Sequence, residues 1–320
     1  MAAAKLSAVS EQAIIHAKQV IVSHALFAGV GGKLPTNVQL LEEHGIVAGT
    51  IQRALQILSA SEALVTRSKG HMGREITQLD TGTCWNLAKL APVQLLMPSS
   101  GSIEIDALIK HITAKLTALN IAYFIEHQPG GEKRVELVNK GKFDIALVSK
   151  GAADNMSSAL ETWQQKCLKP DSYYSMQRLV VVSRADKPQT QWRRIAIDPA
   201  SSDHSSITQK QFPIEEGFEY LETDFRHVPA RVLRGDVDAG LWHITASPVP
   251  LELAGLQAHR LSEPAAIEQH QAISAAAFVV NPKRPELVAL LDEINSRQLQ
   301  NAQSNAFSSE DPYAKAFSSL

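Results

Sequence analysis

The sequence predicts an α+β head, built on a helix-turn-helix and a hairpin, followed by a larger region of two α/β units. Two observations lead there. Residues 34–74 hold a capped helix, a glycine stop, a second amphipathic helix and a basic, glycine-bearing tip, with a short strand-like run before it and another just after, at 75–78. From residue 93 onward, apolar strand-like runs alternate with helical ones, the pattern of parallel sheets flanked by helices.

The head begins with a helical repeat from Ser10, in which Ile14, Ala17, Ile21 and Ala25, with Ile15, Val22 and Leu26 beside them, form an apolar stripe. His16 and His24 lie along it without ligand partners at fitting spacing, so no metal is expected. Thr36 and Gln39 have the spacing of a capping box and predict a helix over about 37–44. Gly45 ends it, because only a residue tolerant of the left-handed region closes a helix this way. A second helix from about Ala48 carries Ile51, Ala54, Leu55 and Leu58 on one side and Thr50, Gln52, Arg53 and Gln56 on the other. Arg and Gln are the side chains that pair with guanine and adenine edges in the major groove. Residues 63–66 and 75–78 then predict a hairpin with Arg67, Lys69, Gly70, His71 and Arg74 at or beside its tip, where cations can lie along phosphates.

These residues resemble the winged-helix domain of GntR-type bacterial regulators. Leu34-Pro35-Thr36, the TIQRAL run from Thr50 to Leu55, Ala63-Leu64 and Gly70 match that pattern over about residues 10–78. The resemblance implies double-stranded DNA as a partner, with Thr36, Gly49, Thr50, Gln52, Arg53, Gln56, Arg67, Lys69, Gly70, His71 and Arg74 as candidate contacts. Where the family carries an arginine in the first of the paired helices and a Ser-Arg pair opening the second, this chain has Val38, Val47 and Ala48. Two cationic contacts and one helix cap are therefore missing. The alternative is a head that keeps the fold without binding DNA.

The whole chain carries a formal net charge of -2 over 320 residues, with 44% hydrophobic and 20% charged residues. Such neutrality excludes indiscriminate coating of nucleic acid, so any basic patch is local. Cys84 and Cys167 are too few and too far apart for a disulfide framework or a metal knuckle, and both are expected as reduced, buried thiols. No secretory signal or membrane-length apolar run is visible, so a cytoplasmic protein without a membrane partner is expected.

After a turn-rich break at residues 80–83, residues 81–91 read as a linker, within which Cys84 to Leu90 is a short bridge that could be helical before Pro92. The first α/β unit comprises VQLLM, a helix over 103–119, IAYFIEH, a helix over 133–140 and FDIALVS. In the second, LVVVS at 179–183, RIAID at 194–198, FEYLE at 218–222, a helix near 226–234 and DAGLWH at 238–243 follow in turn. AAAFVV at 275–280 is a late strand and 286–300 a closing helix. The runs at 134–149 and 231–242 resemble the type II periplasmic-binding-protein fold, reused as the effector domain of LysR-type regulators. The combination with a GntR-like head is similar to the YhfZ-like family of bacterial regulators, over residues 34 to about 300. That implies a winged helix-turn-helix head at 1–80, lobe I at about 92–177 and 264–302, lobe II at about 178–263, and a tail at 303–320.

In open α/β sheets, ligands gather beyond the carboxyl ends of strands, where helix N-termini present free amides. Ser99, Ser100, Gly101 and Ser102 occupy that place in the first unit, and Ser201, Ser202, Asp203, His204 and Ser205 in the second. Ser149, Lys150, Trp242 and His243, at strand ends, are further candidates. Two facing hydroxyl-rich helix starts favour a small polar or anionic effector; the bland alternative is that the serines cap their own helices. No cofactor is expected. Neighbours in one loop do not supply a separately placed nucleophile, base and orienter, so an enzyme is the weaker alternative. Together these features describe a ligand-responsive transcriptional regulator. Because DNA half-sites come in pairs, a homodimer is expected, with Phe307, Tyr313 and Phe317 among candidate interface residues.

Overall fold

The computed structural model describes residues 2–70, 73–157, 165–245, 250–281 and 283–309, with side chains from residue 10. Helix α1 (Ala2–Ala28) leads to β1 (Lys33–Leu34), α2 (Asn37–His44), α3 (Ala48–Ala60), β2 (Leu64–Ser68) and β3 (Arg74–Leu79). Thr36 caps α2 as expected: Gln39 N donates to its hydroxyl at 3.3 Å while Thr36 N donates to Gln39 Oε1 at 2.9 Å. Gly45 closes α2 at φ 67°. By contrast, Val47 opens α3 with no side-chain cap, as its chemistry dictates. The expected hairpin forms, and β3 also pairs on its other edge with β1, a strand the sequence pattern does not reveal. Two residues are too short a run to show a period.

Two five-stranded sheets follow, each with three parallel strands, a fourth antiparallel to the third and a fifth antiparallel to the fourth. The first contains β4 (Val93–Met97), β5 (Tyr123–His127), β6 (Ile145–Ser149), β7 (Gln165–Cys167) and β13 (Ala276–Val280), in the order β5-β4-β6-β13-β7. The second contains β8 (Leu179–Arg184), β9 (Arg194–Ile197), β10 (Glu219–Glu222), β11 (Ala239–His243) and β12 (Leu256–His259), in the order β10-β9-β11-β8-β12. Helices α5 (Ile103–Ala118) and α6 (Gly131–Asn139) connect the parallel strands of the first lobe; α8 (Ser202–Gln211) and α9 (Val228–Arg234) connect those of the second. Short α7 (Lys150–Ser157) follows β6. The chain crosses between lobes twice, and the two crossings are tied together by Tyr173 N donating to Ser274 O at 2.8 Å.

Several expectations need correction. Helix α10 (Pro264–Ile273) packs on α8, and Ala266 and Ile273 join the core around Val181 and Ile195, so the chain re-enters the first lobe near Ala275 rather than at about 264. The closing helix is two helices, α11 (Glu286–Asp292) and α12 (Ser296–Ser308), because Asn295 starts a new helix by capping Arg297 and Gln298. Residues 303–308 are therefore no tail. Gln303 is buried and donates to Glu104 O and Ser172 O, and Phe307 packs under the Arg178 guanidinium at 5.6 Å. Tyr313 and Phe317 lie outside the described residues. Cys84 is buried, with burial pushing its thiol up to about 12, whereas Cys167 is exposed.

The expected linker holds helix α4 (Thr81–Leu87), which begins before the bridge where the sequence allows a helix, and it is part of the core rather than a connector. Trp85 is 2% exposed, and one continuous apolar cluster runs from Ile21 and Leu58 through Trp85 to Leu95, Phe278 and Leu299. Burial on this scale contributes about 25 cal/mol per Å² of apolar surface. The junction also carries a polar chain: Ser23 Oγ donates to Glu286 at 2.6 Å, Arg284 donates to Glu286 at 2.8 Å and to Asp144 at 2.7 Å, and Asp144 accepts from Gln94 N at 2.8 Å. Among the described helices, none is long and apolar enough to cross a membrane.

Candidate functional site

The carboxyl ends of β4, β5, β9, β10 and β11 converge between the lobes, where they enclose a cavity of about 510 Å³. Ser99, Ser100 and Ser102 line it from the first lobe, and Ser201 and His243 from the second. Both expected serine loops thus face the same space. Their hydroxyls are not all free: Ser102 accepts from Ile105 N at 3.3 Å and Ser201 from His204 N at 3.4 Å, so each caps its own helix. The cap and the lining role coexist.

Other expected residues stand elsewhere. Trp242 is buried in the second lobe's core and offers no stacking face. Lys150 is spent on an ion pair with Asp154 one helical turn away. Ser205 donates to Asp198 O at 2.6 Å. Gly101 does not line the cavity; its φ of 120° lets the chain turn beside Thr245. Ser149, Ser202 and Asp203 lie behind the cavity, around a small void between the lobes.

Asp203 is 5% exposed and bridges the lobes, accepting from Ser149 Oγ and, at 3.2 Å, from Tyr174 Oη. Burial pushes its carboxyl up to about 6, against the opposing pull of those hydrogen bonds. His204 is 3% exposed, stacks on Phe225 with centroids 4.6 Å apart, and has Nδ1 without a partner. Burial, aided by nearby His243, lowers its pKa to about 3, so the ring is neutral. A second cross-lobe pair is buried Glu104, whose Oε1 lies 3.2 Å from His243 Nε2 and accepts from Ser175 N at 3.2 Å. Burial opposes its charge, but the His243 and Arg178 charges outweigh it and hold the carboxyl below its usual range.

Sequence reasoning misses the remaining lining groups, among them Gly130, Gly131, Arg134, Tyr173, Tyr174 and Phe225. Arg134, on an amphipathic helix, reads as a solvated charge, yet it is 2% exposed. The adjacent pair Gly130-Gly131 is the signal that could have found it, since close approach requires a glycine there: a Cβ on Gly131 would stand 2.6 Å from Ala152 Cβ. Among the described residues, no group of three or more His, Cys, Asp or Glu converges to hold a metal.

In the head, Gly49, Gln52, Arg53 and Gln56 are exposed along α3 and Thr50 is half-buried, while Ile51, Ala54, Leu55 and Leu58 are buried. Gly70 takes φ 63° at the hairpin tip. Arg67 and Lys69 both pair with Glu75, at 2.7 and 2.9 Å, and Arg74 is half-buried. The Thr36 hydroxyl is committed to its cap. His71 lies outside the described residues.

Paired α/β sheets of this order, crossed twice and enclosing a cavity beyond their strand ends, define a two-lobed domain resembling periplasmic binding proteins. The model of the YhfZ C-terminal domain family matches residues 80–312, and the chain belongs to that family. It is 24% identical over 264 residues to the "Uncharacterized protein YhfZ" of Escherichia coli strain K12, covering 82% of this chain and 85% of that one. The crystal structure of YhfZ from Shigella flexneri superposes with a TM-score of 0.54 at 22% identity, covering 72% of this chain and 96% of that one. A more distant likeness, with a TM-score of 0.49 and 12% identity, is to the alkanesulfonate-binding protein SsuA from Xanthomonas axonopodis pv. citri, covering 72% of this chain and 83% of that one.

Proposed function

We propose that this chain is a ligand-responsive transcriptional regulator, in which a GntR-like winged helix-turn-helix at residues 1–80 binds operator DNA and the two-lobed domain senses a small polar or anionic metabolite. The observation that carries the reading is the division of α3: Ile51, Ala54, Leu55 and Leu58 are buried, while Gln52, Arg53 and Gln56 are exposed to solvent. A helix held from beneath, with Arg and Gln outward, has the chemistry of major-groove readout, worth about 1–3 kcal/mol per bidentate contact. The hairpin β2–β3 is the wing, and Arg67, Lys69 and Arg74 are its phosphate contacts. Val38 and Val47 are exposed where the family pattern has a cation and a cap, so operator affinity rests on fewer phosphate contacts. A homodimer reading paired half-sites, acting in the cytoplasm, completes the proposal.

The test is selection of genomic fragments by purified protein at low salt, with and without a metabolite library. Arg53→Ala is expected to weaken retention by tenfold or more on the selected sequence and to relax sequence preference. Failure to retain any duplex at low salt would leave a metabolite-binding protein with an inert head. Turnover of a compound, lost on His204→Ala while binding persists, would instead identify an enzyme.

A further inference from the structure

Among the described residues, the interlobe cavity is lined by one buried cation, Arg134, that no carboxylate hydrogen-bonds, and it bears on the charge of what enters. Arg134 is 2% exposed, lines the cavity, and projects from the first turn of α6. Its Nε donates to Leu147 O at 2.9 Å, Nη1 to Gln128 O at 2.6 Å and Nη2 to Tyr173 Oη at 2.7 Å. Those three partners are neutral, and a guanidinium has five N–H groups in a fork that matches an oxyanion. Asp203, which feels its charge, is held instead by Ser149 and Tyr174, and Asp198 spends its carboxylate on the amides of Ala200 and Phe225.

Burying an isolated charge is costly unless something of opposite sign joins it. The same helix supplies a second device, because Gly130 caps α6 without a side-chain acceptor, and Gly130 and Gly131 both line the cavity. Ile105, Tyr174 and Phe225 also line the cavity and give it an apolar body. Resting on the reading of this cavity as an effector site, we infer that its ligand is a small organic oxyanion with a flat or apolar body, the anionic group anchored by the Arg134 fork and the α6 amides.

Calorimetric titration with benzoate, benzenesulfonate and phenyl phosphate, against neutral benzamide, tests this on the full chain and separates the three oxyanion types. At least one anion is expected to bind tenfold or more tightly than benzamide. Arg134→Gln should erase that discrimination and Arg134→Lys should restore part of it. Should the Gln variant fail to fold, Arg134→Lys still decides: it keeps the charge but not the fork, so the preferred anion's affinity should fall while benzamide binding stays unchanged. Equal binding of anion and amide, no binding by any anion, or an anion affinity unchanged in both Arg134 variants would each overturn the inference. None of these touches the duplex-retention result, so the two readings fail separately.

Discussion

Gly151 is the contact at which one added carbon should part the lobes. It lies in the first turn of α7, and a Cβ there would meet the Asp203 carboxylate of the second lobe and stand 2.7 and 2.8 Å from Ile273 Cγ2 and Cβ. Carbon atoms pack at about 3.5–4.0 Å, so Gly151→Ala requires the facing surfaces to separate by about 1 Å. Overpacking of this kind costs about 1–3 kcal/mol, and at about 1.4 kcal/mol per tenfold the equilibrium shifts about 5- to 140-fold toward separated lobes. Ser149–Asp203, the hydrogen bond beside it, is lost in the same movement. Small-angle scattering should report a larger radius of gyration for the variant, while the proposed duplex retention stays at the wild-type level, since the head packs on the first lobe. Scattering curves and melting temperatures identical to wild type would show that the methyl is absorbed locally, and would refute the contact as a stop.

Glu75→Gln should release Arg67 and Lys69 from their shared partner, tightening duplex retention and steepening the dependence of log affinity on log salt by up to about 0.9 for each phosphate newly neutralised; an unchanged slope in salt titrations counts against the wing. Because His204 has a folded pKa of about 3, below its usual 6.5, its contribution to stability is present above pH 6.5 and lost as pH falls toward 3; His204→Phe should flatten that part of a melting-temperature profile. Asp203 has the opposite sign: raised from 3.8 to about 6, it favours the fold below pH 3.8 and loses that contribution as pH rises to 6, so Asp203→Asn should raise the melting temperature more at pH 8 than at pH 4. Trp85→Ala should cost about 3–5 kcal/mol in chemical denaturation, with head and first lobe unfolding in one transition.

Local chemistry made much of this fold legible. The Thr36–Gln39 cap, the Gly45 stop and the two-sided α3 depend on residues within a few positions of one another, and each appears where the sequence places it. Loops at 98–102 and 198–201 are readable for the same reason, as strand-to-helix turns. What escapes depends on distant partners. Arg134 and Glu104 look like ordinary charges on amphipathic helices; their burial is set by Leu147, Gln128 and Tyr173 in one case and by His243, Ser175 and Arg178 in the other. Helix α10 carries the same apolar pattern whichever lobe it covers, so its side is decided by α8 and not by its own residues. Likewise α4 reads as a connector until Trp85 is seen beneath Arg284.

The chain of bonds from Ser23 through Glu286 and Arg284 to Asp144 has a mechanical meaning. Apolar contacts alone tolerate sliding, but directional bonds lock an angle, so the head is keyed to the first lobe as a shaft is keyed to a gear. Any reorientation of α3 must then turn that whole unit, first lobe included.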